Sequence, residues 1–163
     1  MHRVYISIGS NIEPARHVRL AVTALHEYYG ELIISSVYES AAVGFDGDNF
    51  YNLVVGFDTT QSVEEVNRTL HEIEDRYGRQ RSGPRFSART IDLDLLLYDD
   101  LQLQQGKLTL PREEILQNAF VLWPLAEIAP DLIHPDTRTS MAQLWHDFDK
   151  SKQQLTPIEF AWT

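Results

Sequence analysis

The order in which two kinds of apolar pattern follow one another is the feature that most constrains the fold of this chain. Strand-like segments, with a two-residue apolar period or many β-branched residues, cover residues 4–8, 32–38, 50–57 and 90–98. Segments with apolar residues at helical spacing cover residues 14–29 and 63–77. Side chains alternate between the two faces of a strand and recur every three or four residues on a helix. The pattern therefore predicts the order strand, helix, strand, strand, helix, strand.

This order is typical of the ferredoxin-like βαββαβ arrangement, in which an antiparallel sheet carries both helices on one face. Apolar segments on either side of Gly106 then predict a small hairpin, and a late helix is expected from about Ser140 to Phe148 with Ser140 as its N-cap. The length of 163 residues suits one domain with one core. We therefore expect an α+β fold with a ferredoxin-like core, a C-terminal hairpin and a helical extension, in one domain over residues 1–163.

Residues that commonly begin or end a helix lie at the boundaries of the two helical segments. Pro14 suits a first helical position, and Gly30 follows the last apolar position of that segment. Ser62 and Glu65 have the spacing of a capping box, and Gly78 closes the second helical segment. These signals make the second helix the most strongly predicted element of the chain.

Charge and composition exclude several functions. The chain has 24 acidic and 14 basic residues and a formal net charge of −10, so its field repels phosphate backbones and anionic lipid. Neither nucleic acid nor a membrane is therefore an expected partner. The absence of cysteine excludes disulfides and thiolate chemistry. The longest apolar run, residues 119–126, is far shorter than the roughly 18 residues of a membrane span, so we expect a cytoplasmic chain.

Five arginines and no lysine lie within residues 76–89, although the whole chain has only 14 basic residues. They are Arg76, Arg79, Arg81, Arg85 and Arg89. Guanidinium groups present planar forks that match phosphate or carboxylate oxygens. An arginine-only cluster in an acidic protein therefore suggests an anion site, and the alternative is a solvated loop that its charge keeps soluble.

Asp92 and Asp94 follow this cluster on a predicted strand, where the two-residue spacing places both carboxylates on one face. Like charges so close together cost stability unless a cation or basic group neutralises them. Mg²⁺ is the natural candidate, because it binds a few carboxylates together with water and phosphate oxygens. A solvent-exposed sheet face is the alternative, but the neighbouring arginines favour phosphoryl transfer. The opposite, core-facing side is expected to carry Ile91, Leu93, Leu95 and Leu97.

Four further positions are candidates for substrate contacts. Glu74 lies at the edge of the apolar stripe of the second helix, where it either orients an arginine or a substrate hydroxyl or is a plain surface residue. Phe50 and Asn52 begin the third strand, and Phe120 lies in an apolar run. Aromatic rings can stack on a flat heterocycle while an amide reads its polar edge, and core packing is the alternative for each ring.

The segment Arg89-Thr90-Ile91-Asp92-Leu93-Asp94-Leu95-Leu96 closely resembles the signature of the 6-hydroxymethyl-7,8-dihydropterin pyrophosphokinase family of folate biosynthesis. Other motifs are similar in type and order, among them Gly9-Ser10-Asn11, Phe50-Tyr51-Asn52, Leu108-Thr109-Leu110-Pro111 and Phe120-Val121-Leu122-Trp123-Pro124-Leu125. The resemblance covers roughly residues 3–136.

The resemblance implies that ATP donates its β,γ-pyrophosphoryl group to the hydroxymethyl oxygen of the pterin and that AMP leaves. The metal-binding carboxylates of the family, which hold Mg²⁺, fall on Asp92 and Asp94. Its phosphate-facing catalytic arginines fall on Arg79 and Arg89. The positions that match ATP-binding residues of the family are Glu74, Lys107 and Thr109. Arg112 is added to this group because it keeps a cationic donor that can bind phosphate. Positions that match pterin-binding residues are Val43, Phe50, Asn52 and Phe120.

The sequence departs from the family pattern at two positions near the expected site. Arg112 stands where the family usually has His, and Asn118 stands where it usually has Arg. Losing a charged donor beside a transferred group costs on the order of 10² in rate. A non-catalytic or slow homologue that binds pterin and nucleotide is therefore the alternative function, and another Mg²⁺-dependent phosphotransferase is the third.

Overall fold

The computed structural model of the chain describes residues 1–40, 49–77, 90–151 and 153–162. The strands of this part are β1 (His2–Ser10), β2 (Ile33–Ile34), β3 (Val37–Ser40), β4 (Phe50–Thr59), β5 (Asp92–Tyr98), β6 (Leu103–Gln105), β7 (Leu108–Leu110) and β8 (Thr156–Ile158). The helices are α1 (Pro14–Tyr29), α2 (Val63–Arg76), α3 (Glu114–Gln117), α4 (Ala119–Ile128) and α5 (Met141–Asp147). None of the helices in these ranges is long and apolar enough to cross a lipid bilayer.

An antiparallel sheet in the order β5-β1-β4-β3-β8 is the centre of the fold, and β2 also pairs with β4. The strands β6 and β7 form the separate hairpin that the sequence predicts around Gly106. The α+β class and the antiparallel sheet are therefore confirmed.

Both faces of the sheet are covered, each by different helices. Side chains of β1, β4 and β5 pack against α1 and α2 on one face, as the βαββαβ order predicts. The helices of the C-terminal extension pack on the other face, where they form a second apolar cluster with Tyr5, Val54 and Leu96. The candidate site lies on this second face.

The predicted end of α1 and the predicted starts of α2 and α5 are confirmed, whereas Gly78, the predicted end of α2, lies outside the described residues. The Ser62 hydroxyl accepts from the Glu65 amide at 3.2 Å, and the Glu65 carboxylate accepts from the Ser62 amide at 3.0 Å, so the capping box of α2 is complete. Gly30 follows α1 with φ of 76°, a conformation that costs a glycine little. Ser140 caps α5 by accepting from the Gln143 amide at 3.2 Å.

The expectation that Leu97 shares the core face with Leu93 and Leu95 is wrong. Ile6 pairs with Leu95, whereas the preceding residue Tyr5 pairs with Leu97, so Leu96 is an extra residue at a β-bulge. A bulge reverses the alternation beyond it. Leu97 therefore packs on the second face with α3 and α4, while Leu93 and Leu95 pack against α1 and α2.

Two details of the sheet differ from the predicted strands. Residues 32–38 form two short strands with a break at Ser35. There the Val54 amide donates to the Ser35 hydroxyl at 2.9 Å, while the Ser35 amide still donates to the Val54 carbonyl at 3.0 Å. The strand β8 was not predicted; it pairs with β3 at the edge of the sheet. Pro157 is tolerated there because an edge strand has one side without ladder hydrogen bonds.

Candidate functional site

Asp92 and Asp94 lie on the second face of the sheet, as their two-residue spacing predicts. Both are half-buried, and the neighbouring Leu93 packs on the opposite side. Asp94 has 37% of its side chain exposed. Two carboxylates are therefore presented together from β5 without being sealed into the core.

A row of three residues crosses the sheet next to this pair. Gly9 of β1 pairs with Asp92 of β5 on one side and with Asn52 of β4 on the other. Neighbouring strands lie about 4.8 Å apart, so the Cα atoms of Asp92 and Asn52 are separated by about 10 Å. A carboxylate and an amide therefore flank a position that has no side chain.

A side chain at that central position would crowd Asn52. A Cβ atom on Gly9 would lie 3.1 Å from Oδ1 of Asn52, closer than an ordinary contact. The amide nitrogen of Asn52 donates to the Ser40 hydroxyl at 3.2 Å, which orients the side chain. The floor between Asn52 and Asp92 is thus kept open, with Oδ1 of Asn52 turned toward it.

Arg112 approaches the acidic pair from the segment after β7. Its amide donates to the Leu96 carbonyl at 3.0 Å, which places the residue beside β5. Its guanidinium lies 3.5 Å from Asp94 and also contacts the Glu114 carboxylate. Part of the repulsion between Asp92 and Asp94 is therefore offset by a cation of the protein itself.

Glu74 is buried rather than on the surface, so that alternative is wrong. Its side chain is 1% exposed, and Oε2 accepts from the Leu93 amide at 2.8 Å. Among the described residues β5 lies at the edge of the sheet, and Glu74 supplies an acceptor for an amide on its outward side. The helix α2 is thus tied to β5 at the residue between Asp92 and Asp94. A contact of Glu74 with nucleotide stays a prediction.

The predicted ring residues border the same face. Phe50 and Asn52 are two residues apart on β4, so their side chains lie on the same side of the sheet. Both belong to the half of β4 that pairs with β3. Phe120 is in the first turn of α4 and packs at the margin of the second apolar cluster.

The hairpin holds two further predicted residues. Lys107 is exposed just after Gly106, and Thr109 is half-buried on β7, where it pairs with Gln104. The remaining predicted residues, Val43, Arg79 and Arg89, lie outside the described ranges.

A groove of about 500 Å³ lies elsewhere, between the outer side of α2 and the hairpin. Its described lining includes three carboxylates, those of Glu64, Glu72 and Asp75, and none of the predicted site residues. Acidic lining disfavours a polyphosphate. The sheet face around Asp92 is therefore the stronger candidate.

The donor set around Asp92 and Asp94 fits Mg²⁺. Among the residues that the structure describes, no three histidine or acidic side chains come together as a complete metal cage. Mg²⁺ does not require one, because it keeps several waters and binds through one or two carboxylates plus substrate phosphates. Two carboxylates on an accessible face satisfy that requirement.

Residues 5–130 match the family model of 7,8-dihydro-6-hydroxymethylpterin-pyrophosphokinase (HPPK). The chain belongs to this family. The match covers most of β1, the strands β2 to β7, α1 to α4 and all the predicted site residues, and it confirms the resemblance noted from the sequence motifs.

Curated HPPK relatives align over most of the chain. The 2-amino-4-hydroxy-6-hydroxymethyldihydropteridine pyrophosphokinase of Synechocystis is 36% identical over 151 residues, which are 91% of this chain and 77% of the relative. The protein of the same name from Pseudomonas aeruginosa is 36% identical over 142 residues, 85% of this chain and 87% of the relative.

The fold also matches a solved HPPK structure. The crystal structure of wild-type Plasmodium falciparum HPPK-DHPS with SDX-DHP has a TM-score of 0.69 and 13% identity. The match covers 90% of this chain but only 43% of that one, so this chain spans less than half of that protein. At this identity the likeness shows the fold.

Sequence reasoning missed two polar residues near this HPPK site. Glu114 contacts Arg112. The signal for this contact in the sequence was that the two oppositely charged residues are two positions apart. Gln153 reaches the start of α4 from 34 residues further along the chain. No local pattern marks such a contact, because only the tertiary fold brings the two segments together.

Proposed function

We propose that this chain catalyses transfer of the β,γ-pyrophosphoryl group of ATP to the hydroxymethyl group of 6-hydroxymethyl-7,8-dihydropterin, with release of AMP, as a step of folate biosynthesis. The observation that carries the proposal is the row Asn52, Gly9, Asp92, with Asp94 beside it. An amide and two carboxylates lie on either side of an open floor, and this arrangement supports binding of a heterocycle at the amide and of a metal at the carboxylates. We place the reaction in the cytoplasm, which suits a chain without cysteine.

Asp92 and Asp94 are the residues that hold Mg²⁺. Bound there, Mg²⁺ supplies charge neutralisation for the phosphate oxygens of ATP. The contribution of the protein is to fix both carboxylates: β5 sets their spacing, and Glu74 holds the amide of Leu93 between them. The carboxylates therefore need little rearrangement when the metal and ATP bind.

Asn52 recognises the pterin. Its amide nitrogen is held by Ser40, so Oδ1 remains turned toward the floor, where it accepts from an N–H group of the heterocycle. Phe50 and Phe120 stack on the two faces of the ring, because offset stacking favours a flat heterocycle. We assign further pterin contacts to Val43.

Gly9 lies between the proposed positions of the two substrates, the pterin and ATP. A pterin bound at Asn52 and a polyphosphate held at Asp92 converge above the one position of the row without a side chain. Bringing the two reactants together in this way converts a bimolecular reaction into an effectively unimolecular one. The lack of a Cβ atom leaves room for the reacting oxygen and phosphorus atoms.

Cationic and polar residues hold the nucleotide. Arg112 lies beside Asp94, where its guanidinium can donate to a phosphate oxygen as well as to the carboxylates. We assign catalytic roles to the phosphate-facing Arg79 and Arg89, and nucleotide contacts to Lys107, Thr109 and Glu74. The arginine, lysine and threonine side chains among them donate hydrogen bonds that stabilise the negative charge of the transition state for phosphoryl transfer.

The reaction is tested by incubating the purified chain with Mg-ATP and 6-hydroxymethyl-7,8-dihydropterin and separating the nucleotides by chromatography. We expect AMP to form only when the pterin is present, together with the pterin diphosphate in the mass spectrum. Formation of ADP would instead indicate another phosphotransferase.

A non-catalytic binding protein is the second candidate, and Asn118 is the observation that favours it. Its Oδ1 accepts from Gln153 at 3.1 Å, so the side chain is engaged with the C-terminal segment and supplies no positive charge. Calorimetric binding of both ligands without AMP formation would support this candidate. The variant Asn118→Arg would then be expected to gain pterin-dependent AMP formation.

A further inference from the structure

The C-terminal segment returns to the turn between α3 and α4, and Gln153 is its point of attachment. The side-chain oxygen of Gln153 accepts from the Ala119 amide at 2.6 Å. Its side-chain nitrogen donates to the Gln117 carbonyl at 3.3 Å and to Oδ1 of Asn118 at 3.1 Å. One side chain therefore bonds to three successive residues of the turn.

Gln153 supplies what the local sequence of α4 does not. The first amides of a helix have no partner within the helix and are usually satisfied by the N-cap side chain. Asn118 occupies the N-cap position of α4 but makes no side-chain capping bond. The Gln153 oxygen takes that role for Ala119, the residue directly before Phe120.

The segment that carries Gln153 is also tied to the other side of the site. Its strand β8 pairs with β3, and β3 pairs with the part of β4 that holds Phe50 and Asn52. Further along, the Ala161 carbonyl accepts from Arg19 of α1 at 2.8 Å. The C-terminal segment thus joins the strands that carry Phe50 and Asn52 to the helix start that carries Phe120.

We infer that Gln153 is a positioning residue that sets the distance between Phe120 and the residues Phe50 and Asn52. This inference rests on the proposed function, in which these three residues bind the pterin. Gln153 acts through the helix start and not by contact with the substrate. Its loss should therefore weaken pterin binding and leave the carboxylate and nucleotide side of the site intact.

The test compares Gln153→Ala with the matched control Gln154→Ala, which changes the exposed neighbouring residue. Steady-state kinetics are measured with the pterin varied at saturating Mg-ATP and with Mg-ATP varied at saturating pterin. We expect Gln153→Ala to raise the KM for the pterin about tenfold, the effect of roughly one net hydrogen bond. For Gln153→Ala, the KM for ATP and the kcat should change by less than about twofold. For Gln154→Ala, both KM values and the kcat should also change by less than about twofold.

A second variant, Gln153→Glu, separates positioning from general stability. The carboxylate keeps an acceptor for the Ala119 amide, favoured at a helix N-terminus, but it loses both donors. We expect this variant to restore the KM for the pterin to within about threefold of the original value, because the bond to Ala119 is the one that fixes the start of α4. If the KM of Gln153→Glu for the pterin were still about tenfold above that of the original chain, this assignment would be contradicted.

Several results would overturn the inference while leaving the proposed function standing. One is a lower melting temperature of Gln153→Ala with unaltered kinetic constants, which would show a purely structural role. Equal increases in both KM values, or a fall in kcat alone, would also overturn it. The unsubstituted chain tests the proposed function separately. If it forms no AMP, the proposed function is wrong, whatever the variants show. Should Gln153→Ala not fold, the comparison of Gln153→Glu with the original chain decides the question.

Discussion

At the scale of single residues, the site depends on how a pair of like charges is tolerated. Asp92 and Asp94 are spaced by one residue on β5, and their repulsion is offset by Arg112, 3.5 Å from Asp94. Because both carboxylates are half-buried and so stay partly accessible to solvent, a divalent ion can complete the neutralisation. The repulsion between them therefore favours the proposed binding of a metal ion and its phosphate.

The substitution Asp94→Asn removes one charge and keeps the shape of the side chain. We expect kcat/KM to fall by about a hundredfold or more and the Mg²⁺ concentration for half-maximal rate to rise, because the proposed metal ligand is lost. The stability should change by no more than about 1 kcal/mol, since the ion pair with Arg112 is partly exposed. Kinetics and thermal melts measure both effects.

The matched control for this substitution is Asp100→Asn, in the exposed turn after β5. It makes the same chemical change without touching the proposed site, so its kinetic constants should equal those of the original chain. A normal kcat/KM in Asp94→Asn would exclude a metal-binding role for this carboxylate.

At the scale of elements, α2 and β5 act together. Glu74 near the end of α2 accepts from the amide of Leu93, and the apolar stripe of α2 packs beneath the same strand. The position of β5 therefore depends on α2 being formed. The helix in turn begins at a complete capping box, which satisfies two of its otherwise unpartnered amides.

The substitution Ser62→Ala removes the hydroxyl that caps α2. We expect the free energy of unfolding to fall by about 1 kcal/mol, the usual effect of losing an N-cap side chain. Urea denaturation at constant pH measures it, with Thr60→Ala, at an exposed position just before the helix, as the control. An unchanged denaturation midpoint would show that the capping box contributes nothing to stability.

At the scale of the whole molecule, the fold closes both faces of the sheet, and the C-terminal third builds the second layer. The turn that leads into α5 contains His134, which is 1% exposed. Its Nδ1 accepts from the amides of Asp136 at 3.1 Å and Thr137 at 3.2 Å. Burial lowers the pKa of His134 below its usual value near 6.5, and the charge of Asp136 opposes this only in part.

The lowered pKa predicts that the protein loses stability in mild acid. Below about pH 6.5 the unfolded chain binds a proton at His134 that the folded chain resists, so the free energy of unfolding rises with pH up to that value and falls as the pH decreases below it. Protonation of Nδ1 would also remove the acceptor for Asp136 and Thr137. Urea denaturation at about pH 5 to 8 measures the slope.

The substitution His134→Gln keeps an acceptor but does not titrate, so it should flatten this pH dependence. The control is His146→Gln, because the side chain of His146 is 82% exposed and should leave the slope unchanged. Equal slopes for the original chain and His134→Gln would assign the acid sensitivity to other groups.

Much of the fold could be predicted because its signals are local. The ends of α1, α2 and α5 follow from Pro14, Ser62 and Ser140, which act on amides within one turn of themselves. The shared face of Asp92 and Asp94 follows from the geometry of one strand. The burial of Glu74 could not be predicted, because its position at the edge of an apolar stripe is compatible with either environment.

The order of the core strands and helices, the antiparallel α+β class, the acidic pair and the family could all be predicted from local patterns, because each depends on residues close together in the chain. The remaining features depend on how the segments pack together. The bulge at Leu96 depends on pairing with β1, the row from Asn52 through Gly9 to Asp92 depends on the register of three strands, and Gln153 reaches Ala119 only after β8 has paired with β3. Register and long-range contacts arise from packing all the elements together, and no single segment encodes them.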